Sequence, residues 1–252
     1  MTQPPRLPLG TRAAMLLRLL AVQGSWNYES LMGNGIAFAV EPALRLLPGG
    51  RGGEAYRAAI GRQCGYFNAH PYLASVAVGA LAHAELSRED PARIERFRTA
   101  CCGPLGSVGD RLVWAGWLPA CSLLALGAFG LGASPAAVTL LFLGAYNVGH
   151  VALRVWGLRV GYRDGLRVAS ALGTPVLRSG PAHVSRAAAL LGGVALPLSA
   201  RGVLGPSHGA LVIVLAVSAL GAIALSRLHG RMEGWRLAMV GLAVFILVSS
   251  VR

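Results

Sequence analysis

From Leu112 to Gly132 the chain runs 21 residues without a charged side chain and with a single proline, Pro119. At 1.5 Å rise per residue such a stretch crosses about 30 Å, the thickness of bilayer hydrocarbon. A soluble domain would have to wrap a helix of this kind on every side. Here it would have to do so repeatedly, because Ala136–Leu153, Ala187–Leu204, Gly209–Ser226 and the shorter Leu237–Val251 are apolar as well. Composition decides the matter: 54% of residues are hydrophobic, 13% are charged, and mean hydropathy is +0.57. Soluble domains carry about 25% charged residues. The chain reads as an all-α integral membrane protein, with amphipathic N-terminal helices and re-entrant or broken segments followed by about five transmembrane helices.

The charge pattern orients it. Net charge is +13, and every one of the 23 basic side chains is Arg. On a soluble chain that excess would point to nucleic acid, but no basic patch interleaved with aromatics appears, so nucleic-acid binding is excluded. The arginines gather instead in the polar connections. Arg154, Arg159, Arg163, Arg167, Arg178 and Arg186 stand against one Asp164, and Arg227, Arg231 and Arg236 follow the fourth run. The positive-inside bias puts these turns in the cytoplasm. The topology that results has the polar half inside, five crossings and the C-terminus outside. The chain divides into residues 1–111, a cytoplasmic and re-entrant helical region, and residues 112–252, a transmembrane helical region.

Along the first region, Arg6, Arg12 and Arg18 with the helix-like stretch from Thr11 suit a segment lying on the membrane surface. The interrupted run Ala13–Val22 does not read as a signal peptide. Leu31–Leu47 holds Gly33, Asn34, Gly35, Glu41 and Pro42, too polar and broken for lipid, and reads as re-entrant or protein-buried. A helix over 54–65 and a second short apolar piece, Leu73–Ala82, follow. Paired short pieces interrupted by Gly or Pro are a feature of transporter binding elements. Asp90-Pro91 is an N-cap with Pro at the first helical position, opening a solvated helix over Pro91–Cys102. Gly103, Gly106 and Gly109 then allow close backbone approach and positive φ. Asp110 reads as the N-cap of the first span, or alternatively as a polar contact facing a pathway or a partner subunit. Pro119 kinks that span, and Ser134-Pro135 caps the next.

No catalytic constellation stands out. The six histidines are scattered, and His83 and Glu85, two residues apart, fall on different helix faces. Cys64, Cys101, Cys102 and Cys121 lack C-x-x-C spacing, so neither a metal site nor a disulfide framework is expected. Asn27, Asn68 and Asn147 have amides suited to a hydroxyl-rich solute, or to satisfying the backbone of broken segments. The spans after Leu112 hold no paired carboxylates, which argues against an ion-coupled carrier acting alone.

Four motifs extend the reading. Ser25-Trp26-Asn27-Tyr28-Glu29 with Gly35 and Pro42 comes first, then Phe67-Asn68-Ala69-His70-Pro71, then Gly103-Pro104-Leu105-Gly106-Ser107-Val108-Gly109-Asp110. Asn147 through Arg154 to Gly161-Tyr162-Arg163-Asp164-Gly165 completes the set. In order and spacing this resembles the enzyme IID family of the mannose/fructose/sorbose class of phosphoenolpyruvate-dependent sugar phosphotransferase systems. Ala69, Arg111 and the lone Glu85 depart from the family pattern. The resemblance implies a subunit of a bacterial plasma-membrane permease, paired with an enzyme IIC subunit in higher oligomers of C/D heterodimers. It implies that a hexose-type sugar is phosphorylated through soluble IIA and IIB components, and that this subunit carries no catalytic residue and no cofactor. It points to Asn27, Glu29, Asn68, His70, Glu85 and Asp110 as residues of the solute pathway or of subunit contacts. The alternative is a regulatory or structural scaffold that retains the fold with little sugar flux.

Overall fold

The computed structural model describes residues 6–168 and 175–204, with three further helical positions at 209, 216 and 220. Apart from those positions, the expected spans Gly209–Ser226 and Leu237–Val251 and the arginine turn between them lie outside the described residues. Within them the chain is helical, with only isolated bridges at Asn27–Leu31 and Leu31–Phe67. The helices are α1 (Leu9–Leu19), α2 (Gly33–Leu44), α3 (Glu54–Gln63), α4 (Ala74–Leu86), α5 (Pro91–Gly109), α6 (Leu118–Gly130), α7 (Pro135–Asp164) and α8 (Pro175–Leu204).

Helix α2 is protein-buried. Gly33, Gly35 and the run Ala39–Leu44 are all covered, and the chain stays helical through Pro42. The sequence reading of a broken segment is corrected to that extent: the Phe38 carbonyl, which Pro42 cannot bond, accepts from Arg18 Nη1 (3.0 Å), and α1 and α4 shield the rest. Glu41 anchors this helix. It accepts from Arg18 (2.7 Å), Arg45 (2.8 and 2.7 Å), Arg51 (3.1 Å) and the Tyr56 hydroxyl (3.0 Å). Burial pushes its pKa up, but these donors outweigh burial and hold it at about 2, down from 4.5. Such a drop corresponds to about 3 kcal/mol, which solvent around exposed Arg45 and Arg51 trims to about 2 kcal/mol. Because the unfolded chain binds this proton near pH 4.5 and the folded one near pH 2, the contribution is complete above pH 5 and is lost as pH falls from 4.5 to 2. Thermal melts of the purified protein across that window are expected to record the fall, and Glu41→Gln is expected to flatten it.

Helix α4 is buried on nearly all sides and packs along α7 through glycine. A Cβ at Gly79 would meet the Leu158 carbonyl and the Tyr162 amide; one at Gly157 would meet Ser75 and Val76, and one at Gly161 Val76 and Ala80. Gly157 and Gly161 stand four apart on α7, the small-xxx-small spacing that brings helices to backbone contact.

The expected caps hold: Asp90 accepts from the Ala92 amide and Ser134 from the Ala137 amide. The glycine-rich stretch does not form a loop. Helix α5 continues through Gly103–Gly109 into a π-helical turn, Asp110–Trp117, and on into α6, one 40-residue element from Pro91 to Gly130. Asp110 therefore caps nothing; it sits in helical geometry (φ −61°, ψ −44°) inside a continuous helix. The departure from α geometry expected at Pro119 lies just before it, where the missing N–H and the bulk of the ring favour a wider turn. Nor is Pro91–Cys102 simply solvated, since it buries Ile94, Phe97, Arg98 and Cys101. Among the described residues two helices, Pro91–Gly130 and Pro135–Arg167, are long and apolar enough to cross a membrane. The expected span Ala187–Leu204 forms the second part of α8, laid along α6 with Gly130 against Leu198 and the Ser199 hydroxyl on the Leu126 carbonyl (3.0 Å).

Candidate functional site

The four motifs converge. Asn27 Oδ1 accepts from the amides of Glu29 (3.0 Å) and Ser30 (2.9 Å), an Asx turn that fixes the first motif. That turn is stitched to the second motif: the Phe67 amide donates to Ser30 (3.2 Å) and the Met32 amide to Phe67 (3.0 Å). The second rests on the third, because the His70 amide donates to the Leu105 carbonyl (3.3 Å) and the His70 ring lies against Gly109 so closely that a Cβ there would overlap it.

The fourth motif closes the group. His70 (1% exposed) and Tyr72 are buried where α5, the π-helical turn and α7 meet. Tyr72 packs edge-on to His70 (4.9 Å), stacks on His150 (4.3 Å) and shares a 2.5 Å hydrogen bond with the Tyr146 hydroxyl. Trp114 lies 5.0 Å from His70. Arg154 sits over the Tyr72 ring at 5.0 Å, donates from Nε to His150 Nε2 (2.7 Å) and bonds the Leu19 carbonyl. His150, accepting at Nε2, carries its proton on Nδ1, facing Asn147 Oδ1 at 3.3 Å.

His70 takes the opposite tautomer. Its Nδ1 accepts from the Tyr72 amide (3.2 Å), which leaves Nε2 as a buried donor with no hydrogen-bond partner among the described residues. Arg154 is a buried cation with no carboxylate in ion-pair range among those residues, held by a carbonyl, an imidazole and an aromatic face. A free buried donor, a cation and aromatic faces are thus gathered in one buried cluster.

The expected residues are dispersed around this cluster. His70 lies inside it. Asn27 and Asn68 lie on the adjoining stitched loops, the side chain of Asn68 exposed and Asn27 engaged in its turn. Glu29 and Asp110 are exposed. Glu85 belongs to a separate buried network with Arg62 (2.7 Å) and Gln63 (2.7 Å). His83 points elsewhere, to the Tyr162 carbonyl (2.6 Å), as the two-residue spacing requires. Tyr72, Trp114, Tyr146 and His150 were not among the residues singled out from sequence. Tyr146, His150 and Arg154, spaced by four, mark one face of α7, which is the signal for Tyr146 and His150.

Comparison with known proteins identifies the family. Residues 7–196 match the family model described as PTS system mannose/fructose/sorbose family IID component. The chain is 32% identical over 166 residues to the PTS system mannose-specific EIID component of Escherichia coli (strain K12), covering 63% of this chain and 57% of that protein. It is 29% identical over 178 residues to the sorbose-specific EIID component of Klebsiella pneumoniae, covering 69% and 64%. To the fructose permease IID component of Bacillus subtilis (strain 168) it is 30% identical over 163 residues, covering 62% and 57%. The alignments thus span less than two thirds of these relatives. In fold, the chain is similar to one chain of the cryo-EM structure of the mannose transporter ManYZ with microcin E492 (TM-score 0.59, 22% identity, 98% and 97% covered). It is also similar to a further membrane-protein structure (TM-score 0.70, 22% identity, 98% of both chains).

Proposed function

Because the chain belongs to the mannose/fructose/sorbose family of phosphotransferase-system IID components, we propose that it is the D subunit of a sugar permease in a bacterial plasma membrane. In this reading residues 1–111 form the cytoplasmic and re-entrant part and residues 112–252 the transmembrane part, with about five crossings. An enzyme IIC subunit completes the permease, as an oligomer of C/D pairs, and soluble IIA and IIB components phosphorylate a hexose-type sugar on its way in. The observation that carries the reading is the packing of the second, third and fourth motifs at one buried cluster around His70, Tyr72 and Arg154, with the first motif stitched to the second at Phe67. A subunit with no chemistry of its own needs such a cluster to hold the solute path or the partner in place.

The test is reconstitution. Vesicles with this chain and an enzyme IIC are expected to take up and phosphorylate sugar in the presence of phosphoenolpyruvate and the soluble components, and vesicles lacking either subunit are not. Purification of this chain from its membrane without an enzyme IIC, and with no flux, would replace the permease reading by the scaffold one.

Asp110 supplies a finer test. The side chain is exposed, caps no helix and has no hydrogen bond among the described residues, so Asp110→Asn is expected to change stability by less than about 0.5 kcal/mol. As a subunit contact it is nevertheless expected to lower the enzyme IIC recovered with the chain several-fold. Full recovery and full uptake in this variant would remove Asp110 from the interface.

A further inference from the structure

Between α1 and the polar end of α7 lies a groove of about 430 Å³. Its floor is apolar, formed by Leu7, Leu16 and Leu158, and its rim is Arg12 on one side with Arg159 and Arg163 on the other. Asp164 answers Arg163 at 2.6 and 2.9 Å. Arg12 and Arg159 are exposed, and no carboxylate lies within ion-pair distance of either among the described residues.

The depth of this groove in the membrane follows from helix length. Arg159 lies 24 residues beyond Pro135 on unbroken α7, about 36 Å at 1.5 Å per residue. With the start of α7 at the far interface, Arg159 therefore stands just past about 30 Å of hydrocarbon, at the headgroup layer of the arginine-rich side. Helix α1 agrees with that depth: Leu9, Leu17 and nearby Leu20 are exposed on one face, as on a helix lying in the interface.

An apolar slot that opens at headgroup depth between two unanswered guanidinium groups has the chemistry of one ligand class. We infer that this groove binds an anionic phospholipid, its phosphate between Arg12 and Arg159 and an acyl chain along Leu7, Leu16 and Leu158. A zwitterionic lipid brings no net charge to the arginines, and a soluble phosphate brings nothing to the floor. The inference needs the chain to lie in a bilayer; it does not depend on sugar transport, and sugar flux is not its readout.

The experiment is delipidation in mild detergent, followed by native mass spectrometry and thermal melting with three additions. These are phosphatidylglycerol, phosphatidylcholine with the same chains, and glycerol 3-phosphate. Phosphatidylglycerol is expected to be retained at least tenfold better than phosphatidylcholine and to raise the melting temperature, with glycerol 3-phosphate without effect. Arg12→Gln with Arg159→Gln is expected to bring its retention down to that of phosphatidylcholine, while Arg12→Lys with Arg159→Lys keeps most of it. Arg57→Gln with Arg96→Gln removes the same charge from exposed positions outside the groove and is expected to leave retention unchanged. Equal retention of the two lipids, a glycerol 3-phosphate effect matching that of the lipid, or equal loss in the Arg57/Arg96 variant would overturn the assignment. Since all four arginines are exposed, melting without lipid is expected to be the same in every variant; if the Gln pair melts early, the Lys pair decides.

Discussion

Replacing Arg98 with methionine is expected to lower the melting temperature of the purified protein by roughly 10 °C, corresponding to about 3–5 kcal/mol. Arg98 is 2% exposed on a helix whose sequence reads as solvated. Its guanidinium donates to Gln63 Oε1 (2.6 Å) and to the Gly65 carbonyl (2.8 Å), and lies 5.4 Å from the centre of the Phe67 ring. Gln63 in turn donates to Glu85 (2.7 Å), which also pairs with Arg62. One side chain thus ties α3, α4 and α5 to the loop that leads into the second motif. Methionine fills much of the volume but leaves the Gln63 acceptor buried and unpaired. Arg98→Lys keeps the charge without the fork and is expected to lose less than half as much. A methionine variant melting within 2 °C of the native protein would mean that the network contributes little.

The second large effect belongs to the glycine seam. Gly161→Leu is expected to abolish recovery of folded protein from the membrane, as judged by size-exclusion profile and yield. The added side chain has no direction free of the α4 backbone, since even its Cβ would strike the Val76 carbonyl. Overpacking of this kind is not relieved by a rotamer change; the helices must separate. Gly161→Ala is expected to give partial recovery. Gly144→Leu is the control: that glycine lies on the same helix with nothing within 4 Å, and the variant is expected to behave as native. If the leucine variants at 144 and 161 fare alike, the seam is not what joins α4 to α7.

What was legible in the sequence was local chemistry. Asp90-Pro91 and Ser134-Pro135 start helices because a carboxylate or hydroxyl beside a proline offers those amides no better partner. What misled was also local. Gly103, Pro104, Gly106 and Gly109 carry turn signals, yet the chain stays helical through them because Leu105 is buried and Gly109 must approach the His70 ring. Likewise the apolar run stops at Leu153, before the first arginines, whereas α7 continues to Asp164; hydropathy marks where lipid stops, not where a helix does. The candidate site was legible by family pattern at His70 and its neighbours. Its chemistry was not, because Tyr146, His150 and Arg154 reach Tyr72 from more than seventy residues away in the chain.

The uninterrupted helix from Pro91 to Gly130 has a mechanical consequence. At 40 residues it is about 60 Å long, and it carries Arg93 and Arg96 at one end and a stretch apolar enough to cross a bilayer at the other. There is no hinge loop between the two, so a tilt imposed at the polar end is delivered to the membrane end as by a lever. The rod is softest where its turns are widest, at Asp110–Trp117. That is the segment from which Trp114 reaches His70, which puts the fulcrum beside the buried cluster.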